Sequence, residues 1–306
     1  LVNSSMDVLD GIEKISGIRP EFEEIDLTDG EVTRDFFARH SDIRAVIHFA
    51  ALKAVGEAVN KPLEYYFNNL NSLMNVLTCM REFKVPNLVF SSSCTVYGQA
   101  DVLPVTEKTP RHEAESPYGN TKVMSEDIIR DLMRVEPDMK ALALRYFNPI
   151  GAHPTAFIGE LPNGVPNNLI PYLTQTAIGI REQLSVFGDD YNTPDGSPLR
   201  DYIDVVDLAQ AHVVAIRRLL DGKNKKNYEF FNIGTGKALS VLEIIHAFER
   251  ATGVKVNYKV VGRRAGDIEK VWADTTLANN ELGWKAVTPI EETLANAWKW
   301  QKALDK

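Results

Sequence analysis

The 306-residue chain is poor in cysteine, since Cys79 and Cys94 are its only two thiols. Two cysteines cannot supply a disulfide framework or a four-cysteine zinc site. The six histidines show none of the short spacings typical of metal ligands, such as H-E-x-x-H. No apolar run approaches the roughly eighteen residues that a membrane span requires. We therefore expect no structural metal, no disulfide scaffold and no membrane partner.

The chain also lacks an excess of positive charge. It has 34 Lys plus Arg against 42 Asp plus Glu, a formal net charge of −8. This balance argues against a general nucleic-acid or membrane-surface binder. Hydrophobic residues at 44% and charged residues at 25% are ordinary globular values. With neither an initiator Met nor a signal-peptide pattern at Leu1 to Ser5, we expect a cytoplasmic protein whose beginning is missing from this sequence.

Short apolar runs alternate with stretches of helical periodicity in the first half. Strands are predicted at 45–50, 87–90 and 141–147, and helices at 73–80 and 122–135. Strands that are apolar on both faces and joined by helices are typical of a parallel sheet covered on each side. The sequence therefore predicts an α/β fold with a doubly wound, Rossmann-type parallel sheet.

The composition changes after Phe147. Proline recurs at 149, 154, 162, 166, 171, 194 and 198, which disfavours regular sheet and favours a folded excursion between 148 and 198. We divide the chain into residues 1–149, the nucleotide-binding unit, and residues 150–306, a smaller irregular α/β unit for the substrate. Some later segments are expected to return to the first unit.

Regular elements are predicted again further along. Strand character returns at 228–233 and 255–261. Between them Ser240 and Glu243 have the spacing of a capping box, which predicts a helix start. The basic residues around Arg218 are predicted to lie on a solvated face at the end of a helix.

The residues with the clearest chemistry are a serine run, a tyrosine and a lysine. Ser91 to Ser93 end a predicted strand, and Tyr118 and Lys122 lie one turn apart on a predicted helix. A nearby ammonium, and a bound nicotinamide cation, would lower the pKa of the tyrosine so that it can act as a base. A serine hydroxyl could hold the substrate oxygen and relay its proton. Tyr-x-x-x-Lys arises often by chance, but its placement after a serine-rich strand end favours a catalytic site.

Ser93 ahead of Tyr118-x-x-x-Lys122 resembles the Ser-Tyr-Lys triad of the extended short-chain dehydrogenase/reductase superfamily. Longer segments at 48–57, 91–98, 145–154 and 199–203 resemble the UDP-galactose 4-epimerase family within it. The resemblance implies an isomerase of galactose metabolism that interconverts UDP-galactose and UDP-glucose with tightly held NAD. Hydride leaves C4, the 4-keto sugar turns over, and hydride returns to the opposite face. The family is commonly a homodimer.

The resemblance also implies roles for individual residues. Ser93, Tyr118 and Lys122 would be catalytic, with Tyr118 taking the 4-hydroxyl proton. The cofactor would contact Asn3, Ser4, Asp26, Phe49, Lys53, Asn68, Ser93, Tyr118, Lys122 and Phe147. The UDP-sugar would contact Thr95, Asn148, Asn168, Phe187, Arg200, Arg264, Asp267 and Val271, the arginines meeting the diphosphate.

Val271 matches a family position where a small residue leaves room for an N-acetyl group. This predicts that UDP-N-acetylglucosamine and UDP-N-acetylgalactosamine are also interconverted. The alternative is that other side chains fill the space.

Two other functions compete with the epimerase. A nucleotide-sugar 4,6-dehydratase would carry an Asp-Glu pair where this chain has Cys94 and Thr95. A non-catalytic protein or fragment that binds NAD or a nucleotide sugar would not need the triad. The family begins with a strand and a glycine-rich turn that this sequence lacks, so we expect a chain without them to bind NAD poorly.

Overall fold

The computed structural model describes residues 3–264 and 267–304. A 3-10 turn at Cys94–Tyr97 and a π-helical turn at Ala278–Leu282 accompany the regular elements. The helices are α1 (Asp7–Ser16), α2 (Gly30–Arg39), α3 (Val55–Asn60), α4 (Pro62–Glu82), α5 (Pro117–Val135), α6 (Leu169–Ala177), α7 (Val205–Leu220), α8 (Val241–Thr252) and α9 (Ile290–Leu304). The strands are β1 (Ala45–His48), β2 (Asn87–Ser93), β3 (Lys140–Tyr146), β4 (Asn148–Ile150), β5 (Leu184–Phe187), β6 (Leu199–Arg200), β7 (Tyr202–Asp204), β8 (Tyr228–Ile233), β9 (Leu239–Ser240), β10 (Tyr258–Val261) and β11 (Lys270–Val271). None of the helices described is long and apolar enough to cross a membrane.

The main sheet has the order β1-β2-β3-β8, and each neighbouring pair is parallel. All residues of β2 are buried, because helices cover both faces of the sheet. One face packs on α4 and α5 through residues such as Leu73 and Ile129. The other packs on α7 through residues such as Leu208 and Ala215. The predicted doubly wound parallel α/β fold is confirmed.

The starts of two helices follow from local sequence. Ser116 caps α5 by accepting a hydrogen bond from the Gly119 backbone N–H at 3.1 Å, and Pro117 occupies the first turn. At α8, Ser240 and Glu243 form both hydrogen bonds of a capping box. The predicted capping box is therefore confirmed.

Three local predictions are wrong. The stretch 148–198 is not free of sheet, because it contains β4, paired with β7, and β5, paired with β10. The strand predicted at 255–261 begins only at Tyr258. The predicted solvated basic face is wrong at one residue only: Arg217, Lys223, Lys225 and Lys226 are exposed as predicted, whereas Arg218 is buried and its guanidinium pairs with Glu229 at 2.8 Å. Each of these features depends on a partner distant in sequence, which local composition does not reveal.

Smaller sheets place the substrate-side residues. β11 pairs with β6, which puts Val271 opposite Arg200, and β9 pairs with the other edge of β6. β8 follows the predicted boundary at 149/150 and pairs with β3 in the main sheet. The division of the chain at that boundary stays a prediction.

Candidate active site

The serine run lies at the carboxyl end of β2, in the middle of the main sheet. Ser91, Ser92 and Ser93 are all buried. The chain then turns into the 3-10 segment, where the Ser93 hydroxyl accepts a hydrogen bond from the Thr95 backbone N–H at 3.2 Å. Ligands of open α/β sheets bind at this edge, so Ser93 stands at the expected place for substrate chemistry.

Tyr118 and Lys122 occupy the first two turns of α5 and face the sheet. Their exposed fractions are 8% and 5%. The Lys122 Nζ donates a hydrogen bond to the Ser91 carbonyl at 2.7 Å and lies 5.8 Å from the centroid of the Tyr118 ring. Burial lowers the pKa of Lys122 to about 8, and the negative charge of Glu126 partly opposes this shift. The structure thus brings the predicted serine, tyrosine and lysine together.

The surroundings of the Tyr118 phenol oppose its ionisation. Burial raises its pKa above the ordinary value, and the neighbouring Tyr146 acts in the same direction, while a hydrogen bond with Ser93 works to lower it. The predicted lowering of this pKa by Lys122 is not seen, because desolvation dominates. Positive charge added beside the ring would lower this pKa.

A buried ion pair lies behind Lys122 on the inner face of α5. Glu126 lies one turn after Lys122 and accepts hydrogen bonds from Ser92 Oγ at 2.6 Å and from Arg145 Nε at 2.9 Å. Arg111 also pairs with it. Burial alone would raise the pKa of Glu126, but Arg145 and then Arg111 outweigh that effect and hold the pKa below its usual range. The network fastens α5 to β2 and β3, and sequence reasoning missed it.

Two further aromatic side chains adjoin the strand ends. The Tyr146 hydroxyl lies 2.5 Å from Ser91 Oγ. The His212 ring lies 4.5 Å from the Phe49 ring, and its Nδ1 lies 2.9 Å from the Leu208 carbonyl. Its Nε2 has no hydrogen-bond partner among the residues described. Tyr146 could have been identified from its place at a strand end beside the serine strand, whereas no sequence signal marks His212.

Four further residues predicted to contact the cofactor come from different parts of the fold. Phe49 follows β1 and is 55% exposed, and Lys53 comes one short loop later. Asn68 lies on α4, with its amide donating to Asn69 Oδ1 at 3.0 Å. Phe147 is buried beside the catalytic region.

The residues predicted to contact the adenosine half of NAD are Asn3, Ser4 and Asp26. Asn3 and Ser4 are exposed at the start of the residues described. Asp26 Oδ1 accepts hydrogen bonds from the Thr28 N–H at 2.9 Å and from its hydroxyl at 2.8 Å. In the described ranges, no cluster of three or more His, Cys, Asp or Glu side chains could hold a metal ion.

A cavity of about 400 Å³ holds most of the predicted substrate residues. Arg264 donates to Asp267 at 2.7 and 3.1 Å, and its guanidinium lies 5.5 Å from the centroid of the Phe187 ring. Arg200 lies 3.8 Å from the same carboxylate. The lining includes the predicted residues Asn148, Asn168, Phe187, Arg200, Arg264 and Asp267, together with Tyr172, Ser185 and Tyr202, which were not predicted.

Thr95 and Val271 lie outside this lining. The Thr95 hydroxyl is buried without a hydrogen-bond partner among the described residues. Thr95 packs on the first turn of α5. A Cβ added to Gly119 in that turn would lie 3.3 Å from the Cβ of Thr95. Val271 is buried in one cluster with Phe147 and Cys94. Thr95 therefore lies beside the start of α5, and Val271 lies in the neighbouring apolar cluster, one strand from Arg200.

Comparison with known proteins identifies the family of the chain. Residues 4–234 match the family model described as the NAD dependent epimerase/dehydratase family. The chain is 48% identical to the mouse UDP-glucose 4-epimerase over 300 residues, covering 98% of this chain and 85% of the mouse protein. It is also 48% identical to the Bacillus subtilis UDP-glucose 4-epimerase over 303 residues, covering 99% of this chain and 88% of that protein.

A solved structure gives the same result. The UDP-glucose 4-epimerase of Bifidobacterium longum, in complex with NAD+ and UDP, superposes with a TM-score of 0.94 at 44% identity. The match covers 99% of this chain and 89% of that one. Identity at this level over nearly the whole length shows a shared family as well as a shared fold. The chain is a member of the NAD-dependent epimerase/dehydratase family, in its UDP-glucose 4-epimerase branch.

Proposed function

We propose that this chain interconverts UDP-galactose and UDP-glucose in an NAD-dependent reaction at C4 of the hexose. The observation that carries the proposal is the placement of Ser93, Tyr118 and Lys122 at one strand end, near a cavity with two arginines. A redox isomerase needs a proton-transfer group at the sugar and cations at the diphosphate. Both are provided by residues described here.

The residues at the sheet edge fit the nicotinamide half of NAD. Phe49 leaves an aromatic face open beside the strand ends. Burial raises the pKa of the Tyr118 phenol, and the positive charge of an oxidised nicotinamide beside the ring would lower it. Lys53, Asn68 and Phe147 are placed around the same edge, and Asn3, Ser4 and Asp26 are assigned to the adenosine side. When bound, NAD supplies the hydride acceptor and donor for C4.

The protein's own residues move the proton. As a phenolate, Tyr118 would accept the proton of the 4-hydroxyl while the C4 hydride leaves and the carbonyl forms, and the resulting phenol would return that proton when hydride comes back to C4. Ser93, in hydrogen-bond contact with Tyr118, holds the same oxygen. Lys122 keeps positive charge behind the ring through its contact with the Ser91 carbonyl. The Thr95 hydroxyl, which has no partner within the described part of the chain, offers a further hydrogen bond to the sugar.

The charged cavity holds the UDP group. Arg200 and Arg264 converge on Asp267, and a guanidinium is suited to bidentate phosphate contacts. Phe187 forms a flat apolar wall for the base, and Asn148 and Asn168 supply amide groups. Binding a diphosphate requires the arginines to turn part of their hydrogen bonding from Asp267 to the ligand.

The test is to incubate the full-length protein with UDP-galactose, with and without added NAD, and to identify products by NMR. UDP-glucose without stoichiometric NADH is the expected result. A 4-keto-6-deoxy sugar would instead identify a dehydratase. Binding of UDP-galactose without any turnover in the NAD-loaded protein would identify a non-catalytic binding protein.

A second candidate activity rests on Val271. This small side chain lies opposite Arg200, which lines the cavity, and packs with Cys94 and Phe147. We propose that it leaves room for an N-acetyl group at C2 of the sugar. Val271→Tyr is expected to abolish conversion of UDP-N-acetylgalactosamine and to retain conversion of UDP-galactose. Absence of N-acetyl conversion in the unmodified protein would contradict the proposal.

The oligomeric state is proposed to be a homodimer formed through α4 and α5. These helices expose Leu63, Phe67, Met74 and Met124, and a shallow apolar cavity of about 210 Å³ lies between them. Exposed apolar patches of this kind mark interaction surfaces. Light scattering should give twice the chain mass, and Met74→Lys should shift the protein to the monomer. A monomeric unmodified protein would contradict the proposal.

A further inference from the structure

A short hairpin, residues 151–160, crosses from the end of β4 toward the cavity and is named here the strap. Ala152 and Gly159 form an antiparallel bridge, and the His153 N–H donates to the Ile158 carbonyl at 3.1 Å. These backbone hydrogen bonds close the strap on itself. Its conformation is therefore set locally.

The strap is anchored on α9 by a tryptophan. A Cβ on Gly159 would lie 2.5 Å from the Trp300 ring, so the backbone and the indole are in close contact. The Trp300 Nε1 donates to the Glu160 carbonyl at 3.0 Å. Both contacts fix the main chain at Glu160, and with it the starting point of that side chain.

The Glu160 carboxylate joins the two sides of the active site through one oxygen. Its Oε1 accepts a hydrogen bond from Asn168 Nδ2 at 2.5 Å and lies 3.9 Å from Lys53 Nζ. Asn168 caps α6 by position and lines the charged cavity. Lys53 follows β1 at the edge assigned to the cofactor.

The chemistry of these contacts points to positioning. An ionised carboxylate only accepts hydrogen bonds, so the Nδ2 of Asn168 must point toward Glu160. This contact fixes the orientation of the Asn168 amide in the cavity. A charge-assisted hydrogen bond is stronger than a neutral one. The Lys53 side chain is 59% exposed, and such ion pairs contribute little to folding. Protein stability therefore does not account for the arrangement.

We propose that Glu160 is a positioning residue of the active site, which orients the Asn168 amide for UDP-sugar binding and links it to Lys53. The proposal rests on the proposed function for the identity of the ligand. It assigns Glu160 no contact with the reacting atoms. Loss of the carboxylate should therefore weaken binding of the nucleotide far more than it slows the chemical step.

The test compares Glu160→Ala and Glu160→Gln in the full-length NAD-loaded protein. Glu160→Ala should raise the Kd for UDP, measured by calorimetry, and the KM for UDP-galactose about tenfold, the loss of one charge-assisted hydrogen bond. Its kcat should stay within about threefold. Glu160→Gln should restore both binding values to within about threefold of the unmodified protein, because its amide oxygen still accepts from Asn168.

Glu292→Ala, at an exposed position of α9, is the matched control and should change neither value. Unchanged UDP affinity in Glu160→Ala would overturn the proposal. So would a loss confined to kcat, or failure of Glu160→Gln to restore binding. If the unmodified protein does not epimerise UDP-galactose, the proposed function fails, whereas the UDP titration still decides the role of Glu160.

Discussion

Two regions differ in how they surround charged side chains. The first, called here the edge, is the carboxyl end of the main sheet with Tyr118 and Lys122 of α5, where catalysis is proposed. The second is the cavity with Arg200 and Arg264, where nucleotide binding is proposed. At the edge, Lys122 and the Glu126–Arg145 pair are buried in the sheet-helix interface, and Glu126 is held by hydrogen bonds from several elements. In the cavity, Arg264 is about half exposed and shares the single carboxylate of Asp267 with Arg200. One region is closely packed around its charges, and the other leaves them accessible.

The difference follows from what each region must do. A proton-transfer group needs a fixed position and a controlled dielectric, so burying it is useful although burial disfavours charge. A diphosphate site must exchange its ligand, so its cations need partners that they can release. Substitutions at the edge should therefore act on turnover or folding, and substitutions in the cavity on ligand affinity.

Removing the Tyr118 hydroxyl should have the largest effect. In Tyr118→Phe the ring still packs with Ala58 and Tyr65, but no phenol remains to exchange the substrate proton. Turnover of UDP-galactose should fall by roughly 10³-fold or more. A coupled assay for UDP-glucose measures the loss, and the thermal unfolding midpoint serves as the control for folding. Activity near that of the unmodified protein would remove Tyr118 from the mechanism.

Breaking the buried pair should come next. Arg145→Met leaves the Glu126 carboxylate buried with fewer partners, which should lower the free energy of unfolding by about 3–5 kcal/mol. Arg145 and Glu126 are joined by hydrogen bonds at 2.9 and 2.5 Å, and both are almost fully buried. Urea unfolding measures the change. A loss below about 1 kcal/mol would show that the catalytic edge does not depend on this pair.

Acid should lower the free energy of unfolding through protonation of His48. Burial, assisted by the charge of Lys122, lowers the pKa of His48 from 6.5 to about 4. Between these values the unfolded chain binds a proton that the folded chain does not. The contribution of neutral His48 to the free energy of unfolding is therefore fully present above pH 6.5. It is lost as the pH falls toward 4, by up to about 3 kcal/mol.

His48→Leu should flatten this part of the pH profile. The control is His246→Leu, which removes an exposed histidine and should leave the profile unchanged. Urea unfolding at several pH values between 4 and 7 measures both. Equal pH dependence in the two variants would contradict the assignment to His48.

The smallest effect on folding is expected in the cavity. Arg264→Met should change the free energy of unfolding by less than about 0.5 kcal/mol, because its pair with Asp267 is partly solvated. The KM for UDP-galactose should rise about tenfold, since a phosphate contact is lost. Arg263→Met is the matched control, because Arg263 packs on Tyr191 at 4.1 Å and does not line the cavity. Equal KM values in the two variants would contradict the role of Arg264.

Elements with a local signal could be predicted from the sequence. The main strands followed from apolar runs, and the start of α8 followed from Ser240 and Glu243. Ser93, Tyr118 and Lys122 could be nominated because strand ends and helical spacing place them on one edge. These inferences need only the sequence within a few residues of each feature.

Features that depend on distant partners could not be predicted. β5 pairs with β10 across a long sequence separation, and the burial of Arg218 depends on Glu229. Glu126 is four residues from Lys122 and reads as an ordinary helix-surface charge until Arg145 is placed opposite it. The raised pKa of Tyr118 likewise follows from packing, which composition does not report.

The contact between the strap and Trp300 has a practical consequence for engineering and for sequence drift. It makes α9, far from Tyr118 along the chain, a support for substrate affinity. A substitution at Trp300 would then weaken substrate binding and reduce flux through the enzyme at low substrate concentration, while the amount of folded protein in the cell stays the same. Screens that score only soluble yield would accept such a variant, so libraries that vary the end of this chain should be sorted by UDP binding.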